Sequence, residues 1–421
     1  MKKKFFALAL ALSMVFAAAG CTESTSGDSY TGGDFEGDPI IRPETALDRE
    51  GILDWVNAKG FVTGRDAKVN TVPYGIYGTD LGIPFYSPSQ ERMYFCFGDT
   101  YAGDGFSWPW NSNALLYTDD LNFAGGIDWD GAVSGLSTLG NYGRANLQIT
   151  PDVLLESNYP DIVTKAYHPG TEMNRDEGAV VDTSTCIPTG AIELDGNMYV
   201  FYMEVTEWNF GPTGQWCIHS NRVMKSTDGG KTFAQLPSLK WDYDFAPNFG
   251  QIFPLEVGDY VYLYGLKGGR CSSLKAARVK KENFEDMSEY EYLVRYEADG
   301  APVFVKGKEG LELILIDKNE AGSVILAPCG EMSIAYNDYL GMYVAMYQMG
   351  AEIVLRVAKE PYGPFDGTPY TVFNNGEFGI TEAYCAFTHN LMTSNEEQRI
   401  YFMLSSWFPV YNVQLMELVL K

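Results

Sequence analysis

Beyond residue 70 the apolar positions of this chain fall into short alternating runs rich in Tyr, Val and Phe, the pattern of half-buried strands and not of helices. One arrangement recurs five times: a first strand opening with small or polar residues, a turn, a second strand rich in Tyr, then a third. The first two strands of each unit occupy 79–99, 183–204, 249–266, 331–349 and 382–406, and the third strands follow at 114–117, 222–225, 276–279, 353–356 and 413–416. Five such units predict an all-β chain folded as a five-bladed β-propeller. The spacing between units is uneven, and the largest insert, 122–177, is rich in Gly, Asn, Asp and Pro. It reads equally as a substrate-shaping loop over one face or as an excursion without structure of its own.

The segment before the repeats carries Leu47, Ile52, Leu53, Trp55 and Val56 at roughly helical intervals and ends at Gly60, which predicts a short N-terminal helix over 45–59 on the rim. Next to it, Phe61 and Val62 are expected to supply an outer strand that closes the ring and removes its last exposed edge. Upstream stand Lys2, Lys3 and Lys4, an apolar run over 5–17, and Ala18-Ala19-Gly20-Cys21. This is an export signal over 1–20, and the small residues before Cys21 resemble a bacterial lipobox. The resemblance implies cleavage before Cys21, lipidation there, and a mature protein tethered to a membrane of the cell envelope outside the cytoplasm. Ordinary secretion is the alternative. The stretch 21–45 is largely Ser, Thr, Gly and Asp and is expected to be a flexible linker, which leaves 46–421 for the propeller.

Charge narrows the partners. Fifty-five Asp and Glu against 30 Lys and Arg give a formal charge of −25, which repels phosphate backbones and argues against nucleic acid. Aromatics at 14% together with abundant carboxylates suit carbohydrate, which binds by ring stacking and by hydrogen bonds to carboxylates. Six cysteines follow Cys21 in no zinc-binding spacing, and no cofactor is expected.

Chemistry concentrates in one hairpin, Gly78-Thr79-Asp80-Leu81-Gly82 running to Phe97-Gly98-Asp99-Thr100. A symmetric turn centred on Ser89 and Gln90 sets Asp80 directly opposite Asp99, where like charges about 5 Å apart destabilise the sheet and so call for another reason to exist. In a propeller the starts of the first strands converge on one funnel, which adds Asp182, Asn248, Glu331 and Glu382 to Asp80 and Asp99. Crowded carboxylates split their pKa values, as glycoside hydrolysis requires of its acid and its base or nucleophile. Asp80, on the innermost strand, is the expected base or nucleophile, and Asp99, behind the aromatic run, the expected acid, with Glu331 or Glu382 as the reserve. A Ca²⁺ ligand or turn cap is the competing reading for either aspartate. Thr100, Trp110, Glu331, Glu382, His389 and Trp407 are the expected substrate contacts, with Trp108 beside Trp110 in a Trp-rich loop. No serine or cysteine sits in a nucleophile elbow with a matching His. Ser226-Thr227-Asp228-Gly229-Gly230-Lys231-Thr232-Phe233 resembles the Asp-box of sialidase-like propellers, a peripheral turn in which Asp228 is structural.

The hairpin motifs, Asp80-Leu81-Gly82 and Phe97-Gly98-Asp99-Thr100, resemble the opening of a bacterial family known as domain of unknown function 4185, and the blade pattern extends that resemblance over roughly 70–420. Enzymatically assigned members of that family form glycoside hydrolase family 183, endo-D-arabinofuranases on a five-bladed propeller. The resemblance implies that the two essential aspartates are Asp80 and Asp99 and that the substrate is a furanoside polysaccharide. Gly330-Glu331-Met332-Ser333 and the ending 405–412 fit the family more loosely. A carbohydrate-binding propeller without catalysis is the alternative.

Overall fold

Packing a strand between two neighbouring blades buries both of its faces, and the inner strands show it: every position of Thr185–Leu194 is buried. In the computed structural model, which describes residues 39–104, 110–133, 185–208, 215–394 and 398–421, five antiparallel sheets are formed at the five expected places. Blade one comprises Leu81–Ser87, Arg92–Phe97, Ala114–Thr118 and Gly131–Ala132. Blade two comprises Thr185–Leu194, Asn197–Trp208, Trp216–Ser226 and Ala234–Asp242. Blade three is built on Gln251–Val257, Tyr260–Leu266 and Ser272–Lys280, with an outer extension that includes Glu291–Tyr296 and Pro302–Lys306. Blade four comprises Met332–Asn337, Met342–Met349, Glu352–Ala358 and Tyr370–Asn374. Blade five runs from Ala383–Phe387 through Arg399–Ser406 and Asn412–Leu420. The architecture is a five-bladed propeller.

Its ring is closed by chain from the other terminus. Leu53–Phe61 pairs with Asn412–Leu420, Leu53 opposite Leu420 and Phe61 opposite Gln414, so the first long strand is the fourth strand of the last blade. The helix expected over 45–59 is therefore absent, and its place is taken by this strand and the short strand Leu47–Asp48. A bulge explains the misreading. Between Leu53 and Trp55 the register shifts by a residue, so Leu53 and Val56 enter one core cluster while Trp55 turns the other way onto Ala46 and Val419. An odd spacing on one face of a strand imitates the three-residue step of a helix. The described helix lies elsewhere, at Gly307–Ile316 on the rim of blade three, with Gly310 and Ile314 turned inward.

The Asp-box joins the third and fourth strands of blade two. Asp228 accepts from the backbone N–H of Thr232 at 2.9 Å and from its hydroxyl at 2.6 Å, bonds that hold its carboxyl down at about 2. It closes a peripheral turn. Cys96, Cys186, Cys217, Cys271, Cys329 and Cys385 form no disulfide among the described residues. No helix among the described residues is long and apolar enough to cross a membrane. The expected export signal and lipidation site at Cys21, most of the expected linker, Trp108, Asp182 and most of the 122–177 insert lie outside the described residues.

Candidate active site

The hairpin of blade one keeps the expected register from Ile83 opposite Cys96 to Ser87 opposite Arg92, then departs from it. Between Leu81 and Ile83 the pairing shifts, with Leu81 and Gly82 both at positive φ, 69° and 73°. Leu81 is held in this left-handed conformation in part by the bond from its N–H to Ser405 Oγ at 2.8 Å. The shift moves Asp80 off Asp99 and onto Gly98, whose N–H donates to the Asp80 carbonyl at 3.2 Å. The expected direct pairing of Asp80 with Asp99 does not occur.

Gly98 is there because nothing larger fits. A Cβ on it would come within 2.3 Å of Asp80 Oδ1. That oxygen is buried with no hydrogen-bond partner, while Oδ2 accepts from the Tyr384 hydroxyl at 2.9 Å. Burial lifts the Asp80 carboxyl to about 7 against the lowering effect of the Tyr384 and Tyr411 hydroxyls, with Glu331 adding to the rise and Arg270 opposing it. The residue as a whole keeps partial exposure. A carboxyl so placed holds a proton near neutral pH. Burial thus singles out Asp80 as a carboxyl that keeps its proton, the part the sequence reading gave to Asp99. Asp99 Oδ1 instead accepts from the Thr185 hydroxyl at 2.7 Å, and its carbonyl accepts from the Tyr411 hydroxyl at 3.1 Å.

Tyr384 reaches Asp80 through a second bulge. Its neighbour Cys385 has φ 56°, and the pairing of Ala383–Phe387 with Arg399–Ser406 shifts between Tyr384 and Ala386. Burial, then the Asp80 charge, pushes the Tyr384 hydroxyl well above its ordinary range, so it remains a donor. Arg270, in the turn after the second strand of blade three, lies with its guanidinium 4.7 Å from the Tyr384 ring and 5.0 Å from the Trp216 ring. Its Nε and Nη2 donate to the two oxygens of Glu331, each at 2.8 Å.

Three of the expected substrate contacts, Glu331, Thr100 and His389, are thereby re-placed. Glu331 spends both oxygens on Arg270. Thr100 is buried and its hydroxyl serves Gly98 O at 2.8 Å and Thr79 Oγ1 at 2.7 Å, which pins the bend that carries Asp99. Glu382 stays exposed at the Tyr384 end of its strand, and its carbonyl accepts from the Trp407 N–H at 2.9 Å. His389 follows the far end of Ala383–Phe387, so it sits at the opposite end of that strand from Tyr384, roughly 15 Å away at the strand rise. There its Nδ1 accepts from the Leu391 N–H at 3.1 Å, and desolvation lowers it to about 4. The other two lie on the face of Asp80. Trp407 stands edge-on to Tyr411 at 5.2 Å and is 54% exposed, and Trp110 pairs with Tyr101 in a two-stranded ribbon beside the hairpin.

Arg270, Tyr384, Tyr411, Thr185 and Trp216 escaped the sequence reading. Tyr384, Thr185 and Trp216 lie at the start of a first or third strand, and Arg270 and Tyr411 in the turns that lead into a third strand. Among the described residues no group of three or more His, Cys, Asp or Glu is arranged to hold a metal ion.

A family model, domain of unknown function DUF4185, matches residues 66–417. The chain belongs to the DUF4185 family. Comparison with curated proteins gives no significant match. Among solved structures, this DUF4185 chain is similar to a provisionally assigned hydrolase from Bacteroides ovatus, at 13% identity and a TM-score of 0.52, over 90% of this chain and 96% of that one. It is also similar to the GH43_1 enzyme from Xanthomonas citri complexed with xylotriose, at 12% identity and a TM-score of 0.41, over 82% and 87%. An α-L-arabinofuranosidase from Podospora anserina in complex with cellotriose aligns at 11% identity and a TM-score of 0.39, over 86% and 95%. At such identities the likeness is one of fold.

Proposed function

We propose that this protein is a glycoside hydrolase that cleaves a furanoside-containing polysaccharide, endo-acting on D-arabinan, with Asp80 as the general acid and Asp99 as the base or nucleophile. The observation that carries the reading is the Asp80 carboxyl, pushed up to about 7 by burial, in the same hairpin as a second carboxylate, Asp99, which Thr185 holds. Protonation of a departing sugar oxygen needs an acid that still holds its proton at the working pH, and a buried aspartic acid supplies one. Tyr384 and Tyr411 keep Asp80 in place without competing for the charge, since both hydroxyls stay protonated. Trp407, exposed at the same face, is the sugar platform. The arabinan assignment rests on the resemblance of Asp80-Leu81-Gly82 and Phe97-Gly98-Asp99-Thr100 to family 183. The leader ending in Ala18-Ala19-Gly20-Cys21 supports a lipid-anchored protein of the cell envelope, working outside the cytoplasm.

The test is incubation of the mature protein with D-arabinan, L-arabinan and other envelope or plant polysaccharides, with Asp80→Asn in parallel. Release of oligosaccharides by the native chain and near-complete loss in Asp80→Asn, with polymer binding kept, is the expected result. Polymer binding unchanged by the substitution, and no product from any polysaccharide, would instead assign a carbohydrate-binding propeller.

A further inference from the structure

Side chains from three blades are stacked behind Asp80 in an arrangement that acid catalysis alone does not require. Arg270 comes from blade three, Glu331 from the residue before the first strand of blade four, and Tyr384 from the first strand of blade five. The bidentate pair between Arg270 and Glu331, both bonds at 2.8 Å, fixes the plane of the guanidinium. That plane lies against two rings, Trp216 on one contact and Tyr384 on the other. A guanidinium clamped at its edge and covered by Trp216 leaves the Tyr384 ring little freedom, and the Tyr384 hydroxyl then points at Asp80 Oδ2.

We propose that the Arg270–Glu331 pair is a positioning unit for the hydrolysis inferred above: it holds Tyr384 by stacking, and Tyr384 in turn orients and tunes the Asp80 carboxyl. Glu331 thus acts through Arg270 and Tyr384 without touching the sugar. A lysine at 270 keeps the charge and loses the plane.

The titratable and charged groups around Asp80 come from every element packed there: Tyr384 and Cys385 from the first strand of blade five, Tyr411 from its third, Glu331 and Arg270 from blades four and three, and Asp99 from the end of the hairpin. Burial keeps Tyr384, Cys385 and Tyr411 protonated well beyond neutral pH. The charge of Glu331 raises Asp80, that of Arg270 lowers it, and the Tyr384 hydrogen bond lowers it. Glu331→Gln therefore moves the Asp80 titration down, whereas Arg270→Met and Tyr384→Phe move it up.

The experiment follows the Asp80 carboxyl carbon by NMR in the full mature chain labelled at aspartate carboxyls, with the signal assigned by its loss in Asp80→Asn. It is paired with kcat and KM on whichever polymer is cleaved. Opposite movements in Glu331→Gln and Tyr384→Phe are expected, with kcat about tenfold lower and KM within twofold in Glu331→Gln and Arg270→Lys. An Asp80 midpoint that stays put in both Glu331→Gln and Tyr384→Phe overturns the proposal, as does a Glu331→Gln enzyme with raised KM and unchanged kcat, the mark of a direct sugar ligand. Should Arg270→Met fail to fold, the near-isosteric Glu331→Gln and Tyr384→Phe carry the test. The titration needs no turnover, so a chain that cleaves nothing refutes the hydrolase reading and leaves this one open to the same measurement.

Discussion

The first strands of blades one and five begin differently from those of blades three and four. In blades three and four the pairing of first with second strand runs without a shift, from Gln251 opposite Leu266 and from Met332 opposite Tyr347. Their leading side chains are spent on support: Gln251 Nε2 donates to the carbonyls of Lys267 and Gly269, which holds the turn carrying Arg270, and Ser333 Oγ donates to Ala386 O. Blades one and five open instead on a bulge with a non-glycine residue at positive φ, Leu81 and Cys385, and the side chains just before these are Asp80 and Tyr384. A regular strand start points its residues along the channel and ties neighbours together. A bulged start turns one side chain aside, toward its neighbour across the blade interface. The proposed chemistry sits where the ladder is broken, and the unbroken ladders support it.

Replacing the bulge-borne acid has the largest effect. Asp80→Asn is expected to lower turnover by about 10²- to 10⁴-fold, measured as initial rates of reducing-end release. The same substitution sharpens the electrostatic side of the comparison. Asp80 has its folded pKa raised above the unfolded value, so the folded state binds the extra proton, and stability is lost as pH rises from about 4 through about 7. Asp80→Asn removes that loss. It should be more stable than the native chain at pH 8 by roughly 2–4 kcal/mol, with about a third of that difference left at pH 5 and almost none near pH 3, read from melting temperatures across the range.

Gly98→Ala attacks the bulge sterically. The new methyl meets Asp80 Oδ1 and the Leu81 side chain, so a destabilisation of about 1–3 kcal/mol in urea unfolding is expected together with a loss of activity larger than that instability explains. In a regular blade, Ser333→Ala strips the bonds to Ala386 O and from the Thr388 N–H, costing about 1–2 kcal/mol, while the pH profile of the remaining activity stays in place. A shifted profile in Ser333→Ala would break the division between acting and supporting blades. At the periphery Asp228→Ala is expected to cost about 1 kcal/mol and to leave turnover intact.

Much of the architecture was legible in the sequence, the division between bulged and regular blades was not, and the limits are physical. Five Tyr-rich middle strands announced five blades because burial on both faces leaves a dense apolar run at each. Asp80 and Asp99 stood out through their glycine neighbours, and Asp228 could be set aside because its turn chemistry is local. Pairing failed at the one point where Leu81 and Gly82 leave the β region, since a bulge is invisible to a count that assumes regular register. The same device in Leu53–Phe61 disguised a strand as a helix. Tyr384 lies 304 residues from the aspartate it bonds, and Arg270 reaches the site through a turn, so neither had a local pattern to betray it. Glu331, Thr100 and His389 were marked by position along their strands, and what separates them is which partner each side chain meets.

The most direct test of the central claim is a crystal structure of Asp80→Asn with an oligosaccharide of D-arabinan. The account predicts a sugar chain across the funnel with a glycosidic oxygen within hydrogen-bond reach of residue 80, Asp99 on the other side of the scissile unit and a ring over Trp407. A chain bound on the outer blades, or one that crosses the funnel with its glycosidic oxygens turned away from residue 80, would contradict it.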